Sequence, residues 1–306
     1  NYLFEGWYVD DEKWSFLNNT VTGSGGALAS FTNSPIVIYG NTLFMNNISE
    51  TSSGGAISSA GALTVRNTKF IDNYAGATGG AIRHYYRLEE SIVRILEVEN
   101  CIFENNESSR GGAIALSAST DITDKGTKGI IKNCQFFDNK AFVIMSEEID
   151  NTDINNPIVT TKKSYGFGGA IYVTKNSILE VSDSLFDGNE SEQYGGVLYS
   201  NSSSTITITK SNFANNIAAL YGGAFSINSN SNFSIDSSVF TNNSANNCGG
   251  VLYVNTAVAN VTKYVNLNSE IGKRYIDGCF TIYAPNKAYN ILPTKLSTGI
   301  CSLNPN

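Results

Sequence analysis

Histidine and charge are both scarce in this sequence, and each scarcity removes a class of function. A single histidine in 306 residues, with no acidic residue in register beside it, leaves no Ser/His/Asp arrangement and no histidine-rich metal centre. Charged residues make up 15% of the chain, the net charge is −7, and no basic run occurs. Nucleic acid and anionic membrane are therefore poor partners. No apolar stretch approaches the ~20 residues of a membrane-spanning helix. No segment carries a long 3.6-residue apolar period, so an α-helical or mixed fold is excluded as well. The chain starts at Asn1 with neither Met nor a signal-peptide pattern, which reads as a processed chain or a fragment.

What the chain has instead is a repeat. Gly195-Gly196-Val197-Leu198 returns as Gly222-Gly223-Ala224-Phe225 and as Gly249-Gly250-Val251-Leu252, at steps of 27 residues. The Gly pairs begin at Gly25, Gly54, Gly79, Gly111, Gly168, Gly195, Gly222 and Gly249. Each is preceded by a Phe-x-x-Asn mark, at Phe16, Phe44, Phe70, Phe103, Phe136, Phe186, Phe213 and Phe240. Two marks at one phase identify a solenoid. The segments ahead of each Phe alternate with period two: Ile206, Ile208, Ser211 and Phe213 align with Leu63, Val65, Thr68 and Phe70. Such β-branched alternation is strand.

A coil of this length cannot bury its own apolar face, but stacked coils can, each a parallel neighbour of the next at ~4.8 Å. The fold expected is all-β: a right-handed parallel β-helix of about eight to ten coils with an irregular C-terminal segment. Phe residues should form an inward stack, and the Asn of each mark an inward turn ladder. The paired glycines should permit positive φ where the next strand begins. Ala or Val follows every pair, and simple alternation would turn it outward; a local bend is the expected reason. Residues 1–15 read as an N-terminal edge segment, 16–260 as the solenoid and 261–306 as a C-terminal cap or docking segment. An insertion of about 23 residues falls within 141–167, and two shorter excesses fall at one corner of successive coils, near 83–91 and 117–128.

Gly-Gly-Ala-Ile combined with Phe-x-x-Asn resembles the polymorphic outer-membrane protein repeat of chlamydial surface proteins, over roughly residues 16–252. The resemblance implies a surface-exposed or secreted β-helix used in adhesion. Nothing in the chain resembles the C-terminal membrane barrel of those proteins.

Binding residues tend to sit on loops that a rigid scaffold positions, so the interruptions are the candidate sites. Arg83, His84, Tyr85, Tyr86 and Arg87 form a cationic-aromatic run suited to sugar rings, with an ordinary decorated turn as the alternative. Glu147, Glu148, Asp150 and Asp153, with Asp121 and Asp124, offer oxygen ligands to Ca²⁺, against a plain solvated acidic loop. No other cofactor is expected. Sequons at Asn18, Asn201, Asn232, Asn242 and Asn260 fall at outward or turn positions; those at Asn47, Asn106 and Asn189 fall on the inward ladder. Of five cysteines, Cys279 and Cys301 are the expected disulfide. Cys101 and Cys134 share one inward phase and read either as stacked thiols or as a second bridge.

The function expected is a non-enzymatic, extracellular or cell-surface adhesin-like protein. Its partners would be host or cell-surface glycans or proteins, or further copies of itself joined head to tail. The alternative is a polysaccharide-binding or pectate-lyase-like carbohydrate-active β-helix. Such an enzyme needs carboxylates converging on one lateral groove, whereas Glu97, Glu99, Asp183, Asp187 and Asp236 are scattered.

Overall fold

The computed structural model describes residues 14–32, 34–86, 94–118, 126–150, 158–247, 249–255, 257–262, 265–266, 280–283 and 290–291. Among these there is no helix. Four parallel sheets run the length of the chain, three of nine strands and one of eight. Successive coils each add a strand to these sheets, so a strand inside a sheet pairs with the equivalent strands of the coils before and after it. This is the parallel β-helix that the repeat predicts.

The Phe column sets the register. Phe44 pairs with Phe70 and Phe103 with Phe136, and the same register holds through Phe213 and Phe240. The eight rings stack with centroids 4.6 to 5.4 Å apart, near the strand spacing. All but Phe16, at the end of the stack, are buried.

Beside the rings runs the Asn ladder. Each Nδ2 from Asn47 to Asn243 donates to the carbonyl of the Phe one coil back, at 2.8 to 3.1 Å. From Asn19 to Asn216, Nδ2 also donates to the Oδ1 of the next ladder Asn at 2.7 to 2.9 Å. The backbone N–H of each of these residues bonds that same Oδ1. Both halves of a buried amide are thereby satisfied, as burial requires. The left-handed backbone at this turn belongs to the residue just before the ladder, such as Asn46, Asp72, Asn105 and Asn215.

The two glycines of each pair do different jobs. Only the first has positive φ, +64° to +76°. The second marks the closest approach of neighbouring coils: a Cβ added at Gly55 would land on the carbonyl oxygen of Gly80, and one at Gly80 on that of Gly112. The Ala or Val that follows is buried, as is the residue after it: Ala56 with Ile57, Ala113 with Ile114, Val197 with Leu198. Consecutive amides, those of Ala56 and Ile57, both donate to Ala81 O. One carbonyl serving two successive N–H groups is a bulge-like bend, and it turns two neighbouring side chains to the same interior.

The structure decides one alternative that the sequence left open, in favour of stacked thiols, and departs from the expectation in one place. Cys101 and Cys134 are free; each Sγ donates to a carbonyl two residues back, at 3.2 Å. They occupy the column in which Thr68, Ser184 and Ser211 do the same, so stacked thiols need no bridge, and burial pushes the Cys134 thiol up. The parallel pairing also continues past residue 260: Phe280–Tyr283 pairs with Leu252–Asn255, and Asn290–Ile291 with part of Val258–Thr262. Pairing needs extended backbone, not the Gly and Phe marks, which is why the lost phase did not signal it. Cys248, Cys279 and Cys301 lie outside the described residues.

Candidate functional site

Arg83 and Tyr85 lie on one outward row of the sheet that follows the Gly pairs, with the Arg83 guanidinium 4.0 Å from the Tyr85 ring centroid. Tyr85 itself is nearly covered, at 8% exposure. His84, between them, points inward. It pairs with Ser59 and Leu116 and is fully buried, so the contiguous run cannot act as one binding surface. Strand alternation separates it. Tyr86 closes the strand Ile82–Tyr86, and Arg87 lies outside the described residues.

The insertion is an antiparallel hairpin, Val143–Asp150 against Ile158–Tyr165. Glu147, Glu148 and Asp150 are on its first strand; Asp121, Asp124 and Asp153 lie outside the described residues. Among the described residues no group of three or more His, Cys, Asp or Glu side chains could hold a metal ion. Asn47, Asn106 and Asn189 are fully buried in the ladder, whereas Asn18, Asn232 and Asn242 are exposed and Asn201 half-buried. Asn260 lies on the strand Val258–Thr262.

The base of the hairpin leads to a feature that the sequence reading missed. The residue before each Gly pair is Ser53, Thr78, Arg110, Phe167, Tyr194 and Tyr221 in successive coils, and parallel bridges join Ser53 to Thr78 and run on from Arg110 through Tyr221. Three residues past the second glycine of the pairs from Gly79 onward, the row facing away from the core reads Arg83, Ala115, Tyr172, Tyr199, Ser226 and Tyr253, with Ala115, Tyr199 and Ser226 covered by their neighbours. The two columns merge into one lateral ledge. Phe167 stacks on Tyr199 at 4.7 Å, Tyr172 on Tyr199 at 5.8 Å, Tyr194 on Tyr221 at 5.5 Å and Tyr221 on Tyr253 at 4.7 Å. At the head of the ledge the Arg110 guanidinium sits 4.1 Å from the Tyr165 centroid and 6.0 Å from that of Tyr172. The signal was available as two aromatic columns, at the positions just before and four after each first glycine.

Elsewhere on the solenoid several cations are paired: Arg66 with Glu97 and Glu99, Lys128 with Glu180, Lys140 with Glu190 and Glu192. Among the described residues no carboxylate pairs with Arg83 or Arg110, and the buried Arg110 Nε has no hydrogen-bond partner. Desolvation, and secondarily the neighbouring Arg110 charge, pull the Arg83 pKa down, against the opposing pull of Tyr85. Desolvation raises the Tyr194 and Tyr199 phenols, so both stay neutral donors at ordinary pH.

His84 gives the fold a pH dependence of its own. Burial lowers its pKa from 6.5 to about 4, while Nε2 lies 3.3 Å from Arg94 O. Above pH 6.5 both folded and unfolded chains hold it neutral and it costs nothing. As pH falls from 6.5 towards 4, the unfolded chain takes up the proton first, so stability falls with a slope of up to about 1.4 kcal/mol per pH unit. Urea unfolding across that window should show a steeper loss for the parent than for His84→Leu, which copies Leu116 in the next coil. Parallel pH profiles would refute the buried neutral state.

Comparison with known proteins adds two unlike similarities. Residues 37–60 and 100–117 match the Chlamydia polymorphic membrane protein repeat, and the chain carries such repeats. Residues 222–306 match the RNB domain. Among curated proteins, the chain is 31% identical over 214 residues to "Probable autotransporter YfaL" of Escherichia coli (strain K12), covering 59% of this chain and 16% of that protein. It is 48% identical over 48 residues to ribonuclease R of Mycoplasmopsis pulmonis, and 41% over 49 residues to that of Chlamydia trachomatis. Each ribonuclease match covers 16% of this chain and 7% of the relative. The chain thus spans a small part of every one of these relatives. No solved structure matches. Over the part of the RNB match that the structure describes, Phe225–Asn228, Asn232–Asp236, Val239–Thr241 and Leu252–Asn255 continue the solenoid's parallel sheets.

Proposed function

We propose that this chain, built on polymorphic membrane protein repeats, is the recognition rod of an adhesin-like cell-surface protein and acts by binding, not by turnover. The observation that carries this reading is the lateral ledge: a rigid stack of coils that places aromatic rings on one side together with two arginines that have no carboxylate partner among the described residues. Repeats of this family and the likeness to an autotransporter support a place at the outer surface of a cell. A rigid parallel ladder suits display, because each coil is fixed by its neighbours and the side columns repeat in register.

Head-to-tail association of copies belongs to the same proposal. Among the described residues, the strands Ser15–Leu17 and Ile36–Ile38 each have a neighbour on one side only, and open strand edges recruit further strands. Glycans, in a host that makes them, are expected on Asn201 and Asn232 and not on Asn189, whose amide is committed to the ladder. Glycopeptide mass spectrometry with full occupancy at Asn189 would contradict that.

The RNB match favours one second reading, action on RNA. It covers 222–306, and a net charge of −7 opposes a polyanion that needs many phosphates neutralised. One experiment separates the readings. Beads coated with the chain should adhere to epithelial cells, and soluble chain should compete, while oligoadenylate and polygalacturonate incubated with the chain stay intact. Absent adherence together with cleavage of either polymer would overturn the proposal.

A further inference from the structure

We infer that the ledge binds a linear acidic oligosaccharide lying along the rod axis, an inference that rests on the surface-recognition reading above. Three features of the site choose this ligand class. First, the rings of Tyr172, Tyr194, Tyr199 and Tyr221 lie nearly parallel to a neighbour, with interplanar angles of 7° for Tyr172–Tyr199 and for Tyr194–Tyr221. Rings stacked on one another present edges outward and keep their faces covered. Nucleobases need an open aromatic face to stack on, so single-stranded RNA is a poor fit. Polyhydroxylated chains need hydroxyl partners instead. The phenols of Tyr172, Tyr194 and Tyr221 make no hydrogen bond to the described residues among the bonds identified, and all three residues are only half-buried.

Second, the spacing is periodic in one direction. Phe167, Tyr194 and Tyr221 succeed one another through parallel bridges, so the two phenol hydroxyls, of Tyr194 and Tyr221, stand one coil rise of ~4.8 Å apart behind the Phe167 ring. That step is comparable to one pyranose unit of an extended glycan, whereas a folded protein partner has no such repeat.

Third, the charge at the head of the ledge is uncompensated. Arg83 and Arg110 influence one another electrostatically, among the described residues neither has an ion-pair partner, and Arg110 Nε is buried without a hydrogen bond. A guanidinium fork matches a carboxylate or sulfate bidentately. A neutral glycan offers hydroxyl acceptors but no charge to balance the two guanidiniums, so it should bind more weakly. Uronate and sulfated sugars share the required chemistry, so the test carries both.

Titration calorimetry with hexagalacturonate, a heparin hexasaccharide, cellohexaose and oligouridylate decides the matter. At least one acidic hexasaccharide should bind, more weakly as salt rises, with cellohexaose and oligouridylate far weaker. Uronate above sulfate, or the reverse, identifies the acidic group. Arg110→Gln should weaken the acidic ligand by about tenfold or more. The double variant Tyr194→Phe/Tyr221→Phe, which keeps the ring stack and removes only hydroxyls, should weaken it by a smaller factor. Glu97→Gln, on another sheet, should change nothing, and circular dichroism confirms that each variant folds. The inference is overturned if no acidic hexasaccharide binds, if Arg110→Gln and the double Phe variant both bind like the parent, or if cellohexaose or oligouridylate binds as well. If coated beads still adhere to cells in any of those cases, the ligand class is wrong and the adhesin reading stands.

Discussion

Replacing Asn189 by alanine is expected to destabilise the solenoid by several kcal/mol. Its Nδ2 donates to Phe136 O at 3.0 Å and to Asn216 Oδ1 at 2.9 Å, and its Oδ1 accepts both the N–H and the Nδ2 of Asn139. Four groups lose a partner in a region with no water access, and each buried unsatisfied group costs about 1–3 kcal/mol. Asn189→Asp should be at least as damaging at pH 7. A carboxylate accepts but cannot donate to Phe136 O or Asn216 Oδ1, and burial raises its folded pKa above the ordinary carboxylate value. Protonation restores a donor, so the Asp variant should gain stability as pH falls from 7 to 5, opposite in sign to the His84 effect. Urea midpoints at the two pH values read both results. A loss below about 1 kcal/mol for the alanine variant would show that the ladder does not hold the coils together.

Phe213→Ala should cost about 3–5 kcal/mol, because it opens a cavity inside a stack that cannot collapse. Phe213 is in ring contact with Phe186, Phe240 and Phe225 at 5.0, 5.4 and 4.8 Å. The surrounding backbone is fixed by ladder bonds on both sides, so relaxation into the void is limited. Thr207→Ala, at an exposed position of the same coil, should shift stability by no more than about 0.5 kcal/mol. Equal shifts in Tm for the two variants would mean that the strand phase is wrong.

Columns of one residue type were legible in the sequence because the solenoid repeats a chemical requirement once per coil. Phe and Asn mark the interior wherever the backbone demands a ring or a two-sided amide, so their phase alone placed Phe213 and Asn189 correctly. The bend after each Gly pair was harder. Ala56 and Ile57 both face inward only because two amides share Ala81 O, and period-two reasoning has no term for that. The same alternation, applied to the run from Arg83 to Arg87, would have turned His84 inward, beside Ser59 and Leu116; reading the run as a contiguous patch missed it. The ledge lay in two columns five residues apart, separated by the bend. Whether Tyr194 and Tyr199 meet depends on how far that bend turns the chain, a quantity that spacing does not carry.

The placement of recognition on the ledge is tested most directly by adherence of beads carrying face-specific variants. Beads coated with Arg110→Gln combined with Tyr194→Phe and Tyr221→Phe should lose most of the parent's adherence to epithelial cells, while beads coated with Arg66→Gln and Glu97→Gln should keep it. Equal adherence of the two folded variants, at whatever level, would contradict recognition by this face.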